Sequence, residues 1–166
     1  MRAPPFRTGL GWDLHRLVEG RPLVVGGVVI PHDRGEDGHS DGDALLHAIT
    51  DALLGAAALG DIGELFPPSD PAWKGADSKK LLAAAFSRVR ASGWEIGNID
   101  AVVALERPKV LPYRTAIRES IAATLGIDAE RVFVKAKTGE GVDAVGSGGA
   151  IACWATCLII SAEAPE

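Results

Sequence analysis

Residues 39–60, HSDGDALLHAITDALLGAAALG, decide the fold because a cluster of polar side chains leads directly into a long apolar helix pattern. Ser40 followed three positions later by Asp43 is typical of a capping box at a helix start. Gly60 is typical of a helix end, where a residue in the left-handed conformation closes the last turn. The pattern therefore predicts one helix from about Asp43 to Leu59.

Three ionisable side chains recur every four residues along this helix, at Asp43, His47 and Asp51, and so form one stripe on its surface. The apolar stripe roughly opposite consists of Leu45, Ile49 and Leu53. A solvated helix face is the ordinary interpretation of a charged stripe. Because hardly another polar side chain occurs between residues 44 and 60, a functional site is an equally good interpretation.

The rest of the chain alternates strand and helix patterns. In PLVVGGVVIP, residues 22–31, two β-branched runs flank Gly26-Gly27, which predicts a tight hairpin. Further helices are predicted from Asp77 or Ser78 to Gly93 and from after Pro112 to before Gly126, with strands at 99–105, 131–137 and 150–160. The mixture predicts an α/β fold of the α+β type: a single domain, residues 1–166, with a mixed, largely antiparallel sheet covered by helices.

Composition excludes several classes of partner. With 47% hydrophobic residues and a formal net charge of -5, the 166 residues describe a soluble protein that can bury a core, and they carry no basic field for nucleic acid or an anionic membrane. No segment reaches the ~18 consecutive apolar residues of a membrane span, and residues 1–16 resemble no targeting sequence, so we expect a cytoplasmic protein. Cys153 and Cys157 are expected to be buried core thiols.

A candidate metal site combines the helix with a second segment. Asp13 and His15 in GWDLHRL lie two positions apart, so on an extended backbone both point to one face, at about 7 Å between Cα atoms. Together with His47 they supply two imidazoles and a carboxylate, a set typical of tetrahedral zinc with its fourth position left open. An open fourth position is typical of a catalytic metal site.

Two isolated residues are weaker candidates. Asp61, in GDIGELF, lies on a turn that can present a carboxylate and free N–H groups to a ligand, although a solvated acid at a helix end explains it equally well. Lys109, in ERPKVLP, is more typical of a surface lysine. His32 has no predicted role.

A glycine-rich segment, AKTGEGVDAVGSGGAIA at 136–152, follows the penultimate strand pattern. Several glycines allow N–H groups to face an anion, and Lys137, Thr138 and Glu140 suit phosphate together with a metal ion. The segment is not a P-loop, and an ordinary turn remains an alternative.

Taken in order, several segments resemble one family along nearly the whole chain. They are DLHR, HSDGDALLHAITDALLGAAALGDIGELFP, DPAWKGADS, RPKVLP and KAKTGE. These segments are similar to the 2-C-methyl-D-erythritol 2,4-cyclodiphosphate synthases of the non-mevalonate isoprenoid pathway. The resemblance implies a homotrimer with active sites between subunits, which cyclises 4-diphosphocytidyl-2-C-methyl-D-erythritol 2-phosphate and releases CMP.

The resemblance also implies roles for the candidate residues. Asp13, His15 and His47 match the family's zinc ligands, with one ion per subunit. His39 and Thr138 match the residues expected to stabilise the transition state. The attack is implied to be in line, from a 2-phosphate oxygen onto the β-phosphorus, without a dedicated general base.

Further matched positions complete the implied site. Glu140 matches an acid that binds Mg²⁺ or Mn²⁺ on the substrate diphosphate, and Asp51 matches an acid expected to support a ligand imidazole. The start of the central helix is expected to present N–H groups to phosphate. The positions expected to bind substrate are Ser40, Asp61, Gly63, Phe66, Asp70, Leu105, Lys109, Leu111 and Lys137, with 105–111 supplied by the adjoining subunit.

The chain departs from the family pattern in three segments. The loop at 66–78, a candidate mobile flap, has Pro68 where the family has an acid. Ala144, Ser147 and Gly149 replace an aromatic, an arginine and an acid that line the family trimer's central cavity, which predicts a weak or absent site for isoprenoid diphosphates there. Lys137 stands where a threonine is common and adds positive charge near phosphate.

Two other functions remain open on the sequence alone. A metal-dependent phosphoesterase could use the same three ligands to activate water, and its product would be linear rather than cyclic. A non-catalytic trimeric protein that binds a nucleotide or an isoprenoid diphosphate would keep its binding without His47.

Overall fold

The computed structural model describes residues 4–162, which form one five-stranded sheet, a separate hairpin and five helices. The strands are β1 (Phe6–Glu19), β2 (Leu23–Val25), β3 (Val28–Ile30), β4 (Arg34–Asp37), β5 (Trp94–Ala104), β6 (Val132–Lys137) and β7 (Ala150–Ser161). The helices are α1 (Ala44–Ala57), α2 (Ile62–Leu65), α3 (Ser78–Ala91), α4 (Arg114–Leu125) and α5 (Asp143–Gly146). No helix within 4–162 has the length and apolar character needed to cross a membrane.

The strand order in the sheet is β4-β1-β7-β5-β6. Three neighbouring pairs are antiparallel, and only β5 and β6 run parallel, because α4 forms the crossover between them. The prediction of a mixed, largely antiparallel sheet with helices packed against it is confirmed.

Helix α1 packs so closely on the sheet that β1 needs glycine at two positions. A Cβ atom on Gly9 would lie 1.9 Å from the carbonyl oxygen of Ala52, and one on Gly11 would lie 1.9 Å from that of Ala48. With α3 on its other side, α1 is buried around most of its circumference, as its apolar composition predicts.

The hairpin predicted at Gly26-Gly27 is confirmed as the turn between β2 and β3, where both glycines have positive φ. The carboxylate of Asp43 accepts hydrogen bonds from both glycine N–H groups, at 3.0 and 2.6 Å, and from Leu46 N–H at 3.0 Å. Asp43 is fully buried and therefore joins the hairpin to the start of α1.

The predicted bounds of two elements, α1 and β5, were wrong. Helix α1 is capped by Asp43 rather than by a Ser40 capping box, and Ala58 with φ of 58° ends it before Gly60. The α3 cap is Asp77, one of the two predicted candidates. Strand β5 begins at Trp94, five residues before the predicted start, because its pairing with β7 continues across a bulge.

The two faces of the sheet differ in burial. The face toward α1 is buried and includes both cysteines, as predicted; the thiol of Cys157 donates to the Ala52 carbonyl at 3.2 Å. The opposite face leaves large apolar side chains exposed, among them Leu10 at 68%, Trp12 at 52% and Trp154 at 39%.

Candidate active site

Strand β1 and helix α1 bring the three predicted metal ligands together. One ligand atom from each of Asp13, His15 and His47 lies within 4.8 Å of the other two. Oδ2 of Asp13 lies 3.1 Å from Nε2 of His15 and 2.9 Å from Nδ1 of His47. All three side chains are partly buried, so they line a recess rather than open surface.

The hydrogen bond on the far side of His15 fixes its tautomer. Nδ1 of His15 lies 2.6 Å from the carbonyl oxygen of Gly42. Because a carbonyl oxygen only accepts, Nδ1 carries the hydrogen, and in the neutral ring Nε2 directs its lone pair toward Asp13. Two acceptor atoms thus face each other, which is the arrangement that metal ligands adopt.

The electrostatics of the recess favour a charged carboxylate at Asp13. Burial by itself raises the pKa of Asp13, but the hydrogen bond that His47 donates when its ring is protonated, and the positive charges that His15 and His47 carry in that state, outweigh it. The pKa of Asp13 therefore lies below its ordinary value. An ionised carboxylate is the form that binds a divalent cation.

The triad opens into a cavity of about 260 Å³ with mostly apolar walls. Among the predicted residues, His39, Ser40, Gly63 and Phe66 line it. The rings of Phe66 and Trp73 meet edge to face at 5.0 Å between centroids and form part of its wall. The cavity therefore combines a polar end at the triad with aromatic side walls.

Two acids predicted to bind substrate, Asp61 and Asp70, cap local turns in this structure. Asp61 accepts the N–H of Glu64 at 2.8 Å and begins α2. Asp70 accepts the N–H of Ala72 at 2.9 Å and begins the short turn Pro71–Trp73. Neither acid lines the cavity, whereas Pro68 of the same loop does.

Asp51 does line the cavity but does not contact a ligand imidazole. Its carboxylate accepts the N–H of Ile62 at 2.8 Å and so holds the start of α2 against α1. Burial raises the pKa of Asp51, partly offset by that hydrogen bond. Asp51 therefore stabilises the cavity wall through Ile62, and it makes no hydrogen bond to an imidazole among the described residues.

The expectation that the start of α1 offers free N–H groups to phosphate was also wrong. Ala44 N–H donates to Oε1 of Glu36 at 3.3 Å, and Leu46 N–H donates to Asp43. Two carboxylates from the chain itself already occupy this helix terminus. The three residues of the predicted stripe therefore do not share one environment. His47 and Asp51 line the cavity, whereas Asp43 faces the hairpin.

The remaining predicted residues form a second pocket, of about 290 Å³, that shares no residue with the first. It is lined by Leu105, Lys109, Leu111, Lys137, Thr138 and Glu140, among others. The hydroxyl of Thr138 donates to Glu140 at 2.6 Å. Within this chain, Thr138 and Glu140 therefore do not join His39 at the triad.

Two residues behind the triad were not predicted as functional. Ser78 is buried and lies 2.9 Å from Nε2 of His47, and its hydroxyl donates to the carboxylate of Asp41. Asp41 lies inside the motif HSDGD, which was the available signal. The sequence predicts Ser78 only as a possible helix cap, because nothing in it relates this residue to a histidine 31 positions earlier.

Comparison with known proteins now defines the class. The YgbB family profile matches residues 6–160, and the chain belongs to this family. A relative from Treponema denticola is 58% identical over 161 residues, covering 97% of this chain and all of its own length, and one from Laribacter hongkongensis is 58% identical over 156 residues, covering 94% and 96%. Both relatives are named 2-C-methyl-D-erythritol 2,4-cyclodiphosphate synthase.

Solved structures agree with this assignment. The bifunctional IspDF of Campylobacter jejuni matches with a TM-score of 0.91 and 42% identity, covering 94% of this chain and 42% of its own. The IspF CDP complex of Plasmodium falciparum matches with a TM-score of 0.84 and 34% identity, covering 98% of this chain and all of its own. The particular family is thus that of the 2-C-methyl-D-erythritol 2,4-cyclodiphosphate synthases.

Proposed function

We propose that this protein converts 4-diphosphocytidyl-2-C-methyl-D-erythritol 2-phosphate to 2-C-methyl-D-erythritol 2,4-cyclodiphosphate and CMP. The observation that carries the proposal is the convergence of Asp13, His15 and His47 on one cavity in a chain that matches the family over residues 6–160. The whole chain then acts as one cytoplasmic synthase domain, with neither nucleic acid nor membrane as partner.

The triad fits a zinc ion by the chemistry of its donors. Two imidazole nitrogens and one carboxylate oxygen form a set that zinc prefers, and the Gly42 carbonyl holds His15 in the ligating tautomer. A bound zinc ion would neutralise phosphate charge and polarise the phosphorus.

The residues of the chain contribute mainly by positioning. A 2-phosphate oxygen is already an anion at neutral pH, so its attack on the β-phosphorus needs no general base. The new P–O bond closes the ring, and the bond from the β-phosphorus to the oxygen shared with CMP breaks, so that CMP leaves as a phosphate. His39 and Ser40, at the polar end of the cavity, are suited to hold the phosphates in line.

The second pocket supports a homotrimer with active sites between subunits. Lys109 and Lys137 suit the cytidine diphosphate portion of the substrate, and Glu140 with Thr138 suits Mg²⁺ or Mn²⁺ on the diphosphate. We infer that this pocket serves the triad of an adjoining subunit, because the two pockets share no residue within one chain. The CDP complex of the Plasmodium falciparum relative is consistent with a cytidine diphosphate ligand.

The exposed apolar face of the sheet supports the same assembly. Leu10, Trp12, Leu14 and Trp154 stand in a row of neighbouring positions on β1 and β7. A contiguous apolar patch of this kind usually marks a protein interface. Three copies packed through these sheets would bury it.

The direct test is to incubate the purified protein with the diphosphocytidyl substrate, zinc and magnesium, and to follow products by phosphorus NMR and CMP by chromatography. We expect cyclic diphosphate and CMP in equal amounts. His47→Ala should abolish turnover, while His32→Ala, which alters a histidine paired with Asp33 away from the triad, serves as the matched control. A linear phosphate product would show hydrolysis and contradict the proposal.

A further inference from the structure

A buried chain of hydrogen-bonding groups lies behind His47, on the side of the ring away from Asp13. Nε2 of His47 is 2.9 Å from the hydroxyl oxygen of Ser78 and 3.1 Å from that of Ser40. Ser78 is 1% exposed, and both its hydroxyl and its backbone N–H donate to the carboxylate of Asp41.

The acceptor-only character of a carboxylate fixes the direction of these bonds. Because Ser78 gives its single hydroxyl hydrogen to Asp41, its oxygen can only accept from His47. The hydrogen of the neutral His47 ring therefore lies on Nε2, and the lone pair of Nδ1 faces Asp13 at 2.9 Å. This is the tautomer in which His47 can ligate a metal.

We propose that Asp41 and Ser78 are positioning residues that hold His47 in its metal-ligating tautomer. The inference rests on the metal centre proposed above and deepens it. Asp41 keeps the hydroxyl of Ser78 turned away from the ring, so Ser78 accepts rather than donates. Carboxylate groups of this kind behind a ligand imidazole commonly set its orientation and metal affinity.

Ser40 could stabilise the other tautomer of His47, and Ser78 and Asp41 act against it. The Ser40 hydroxyl can donate either to Ser78, at 3.4 Å, or to Nε2 of His47. In the second case the hydrogen of His47 moves to Nδ1 and points at Asp13, where it blocks the metal position. Without Ser78, Ser40 is the remaining neighbour of Nε2 among the described residues.

The same pair connects the metal centre to the loop that walls the cavity. Ser78 is the first residue of α3, directly after the loop that carries Phe66 and Trp73. That loop is also held by hydrogen bonds from Asp41 N–H to the Ala76 carbonyl, at 3.1 Å, and from Gly75 N–H to the His39 carbonyl, at 2.8 Å. When the end of this loop packs against residues 39–41, the Ser78 hydroxyl lies within hydrogen-bonding distance of His47.

The test measures zinc affinity of metal-free proteins by competition with a chelator, with the absorption spectrum of the Co²⁺ form as a second readout. We expect Ser78→Ala to weaken zinc binding roughly 10- to 100-fold, Asp41→Asn to weaken it about 10-fold, and Ser78→Thr to restore it. Ser87→Ala removes a hydroxyl from the exposed side of the same helix and should have no effect.

Ser40→Ala separates tautomer selection from general damage to the site. It removes the competing donor, so zinc should bind at least as tightly as in the parent. Equal affinity in Ser78→Ala and Ser87→Ala, or a loss in Ser40→Ala as large as in Ser78→Ala, overturns the inference. If Ser78→Ala does not fold, Asp41→Asn and Ser40→Ala still decide. A parent that binds zinc no better than His47→Ala would refute the metal centre itself.

Discussion

The two pockets that hold the predicted site residues are built in different ways. In the first pocket the imidazoles are partly buried, and each makes a hydrogen bond through the ring nitrogen that faces away from Asp13. His15 bonds to the Gly42 carbonyl and His47 to the Ser78 hydroxyl. In the second, Lys109, Lys137 and Glu140 are exposed on the surface. The contrast teaches that one chain holds the triad in place by its own hydrogen bonds, whereas the side chains of the second pocket are exposed, as the proposed contact with an adjoining subunit requires.

The largest expected effect comes from removing the carboxylate of the first pocket. Asp13→Ala takes away the only charged ligand of the triad, so turnover should fall by at least about 1,000-fold in saturating zinc. Asp33→Ala removes an exposed acid that pairs with His32 and is the matched control. A rate within tenfold of the parent, where ~1.4 kcal/mol corresponds to each factor of ten, would show that the triad is not the reaction centre.

The rigidity of the first pocket can be tested at the contact between β1 and α1. In Gly11→Ala the new methyl group meets the Ala48 carbonyl at 1.9 Å, so the free energy of unfolding should fall by about 3 kcal/mol. Gly55→Ala, on the exposed side of α1 with no atom within 4 Å of the added carbon, should instead stabilise by about 1 kcal/mol. Urea unfolding measures both, and equal stabilities would contradict the close packing.

The second pocket is tested by mixing inactive chains. Glu140→Ala should reduce turnover about 100-fold by removing the proposed ligand of a second metal ion. Co-expressed in equal amounts with His47→Ala, it should assemble at random, so that about one site in three of each mixed trimer, and about a quarter of all sites in the population, combines two intact halves. Recovery of activity near that level supports sites between subunits, whereas its absence in verified mixed trimers would place both halves in one chain.

The smallest effect concerns the acids under the start of α1. Glu36 is fully buried, and its Oε2 has no hydrogen-bond partner among residues 4–162. Burial, reinforced by the nearby charge of Asp43, raises the pKa of Glu36 well above its ordinary value, and burial raises the pKa of Asp43 to about 6. The folded protein therefore binds protons that the unfolded chain has already released.

It follows that this stabilising contribution is complete below the ordinary carboxyl pKa of about 4 and is lost as the pH rises through the raised pKa values, which is about 6 for Asp43. Glu36→Gln should flatten the decline in unfolding free energy as the pH rises from 4 to 8. Glu119→Gln, on the exposed side of α4, is the control. A parallel decline in both variants would exclude Glu36 as its source.

The parts of the fold that were predicted from sequence are those set by local patterns. The apolar run of α1 and the Gly26-Gly27 turn depend on neighbouring residues only. The role of Asp43 was missed because helical periodicity says which residues share a stripe, but not that a hairpin packs beside its first turn. The early start of β5 was missed because its pairing partner, β7, lies more than fifty residues away.

The candidate site likewise contains residues that local patterns predict and residues whose contacts depend on tertiary packing. Asp13 and His15 were predictable as a pair because a strand places alternate residues on one face, and the ionisable stripe of the central helix supplied His47 as the third ligand. The contact between Ser78 and His47 depends on how α3 packs against α1, which no spacing in the sequence encodes. Asp61 and Asp70 matched the family pattern but cap local turns in this structure, since an acid before a turn satisfies backbone N–H groups first.

The exposed sheet face gives the molecule its own optical reporter. Trp12 and Trp154 occupy directly paired positions there, and they are two of only four tryptophans in the chain. Ultraviolet emission from these indoles depends on whether water or another apolar surface covers them. If the proposed assembly buries this face, the wavelength of maximum emission should shift to the blue as protein concentration rises, so that association can be followed without any label.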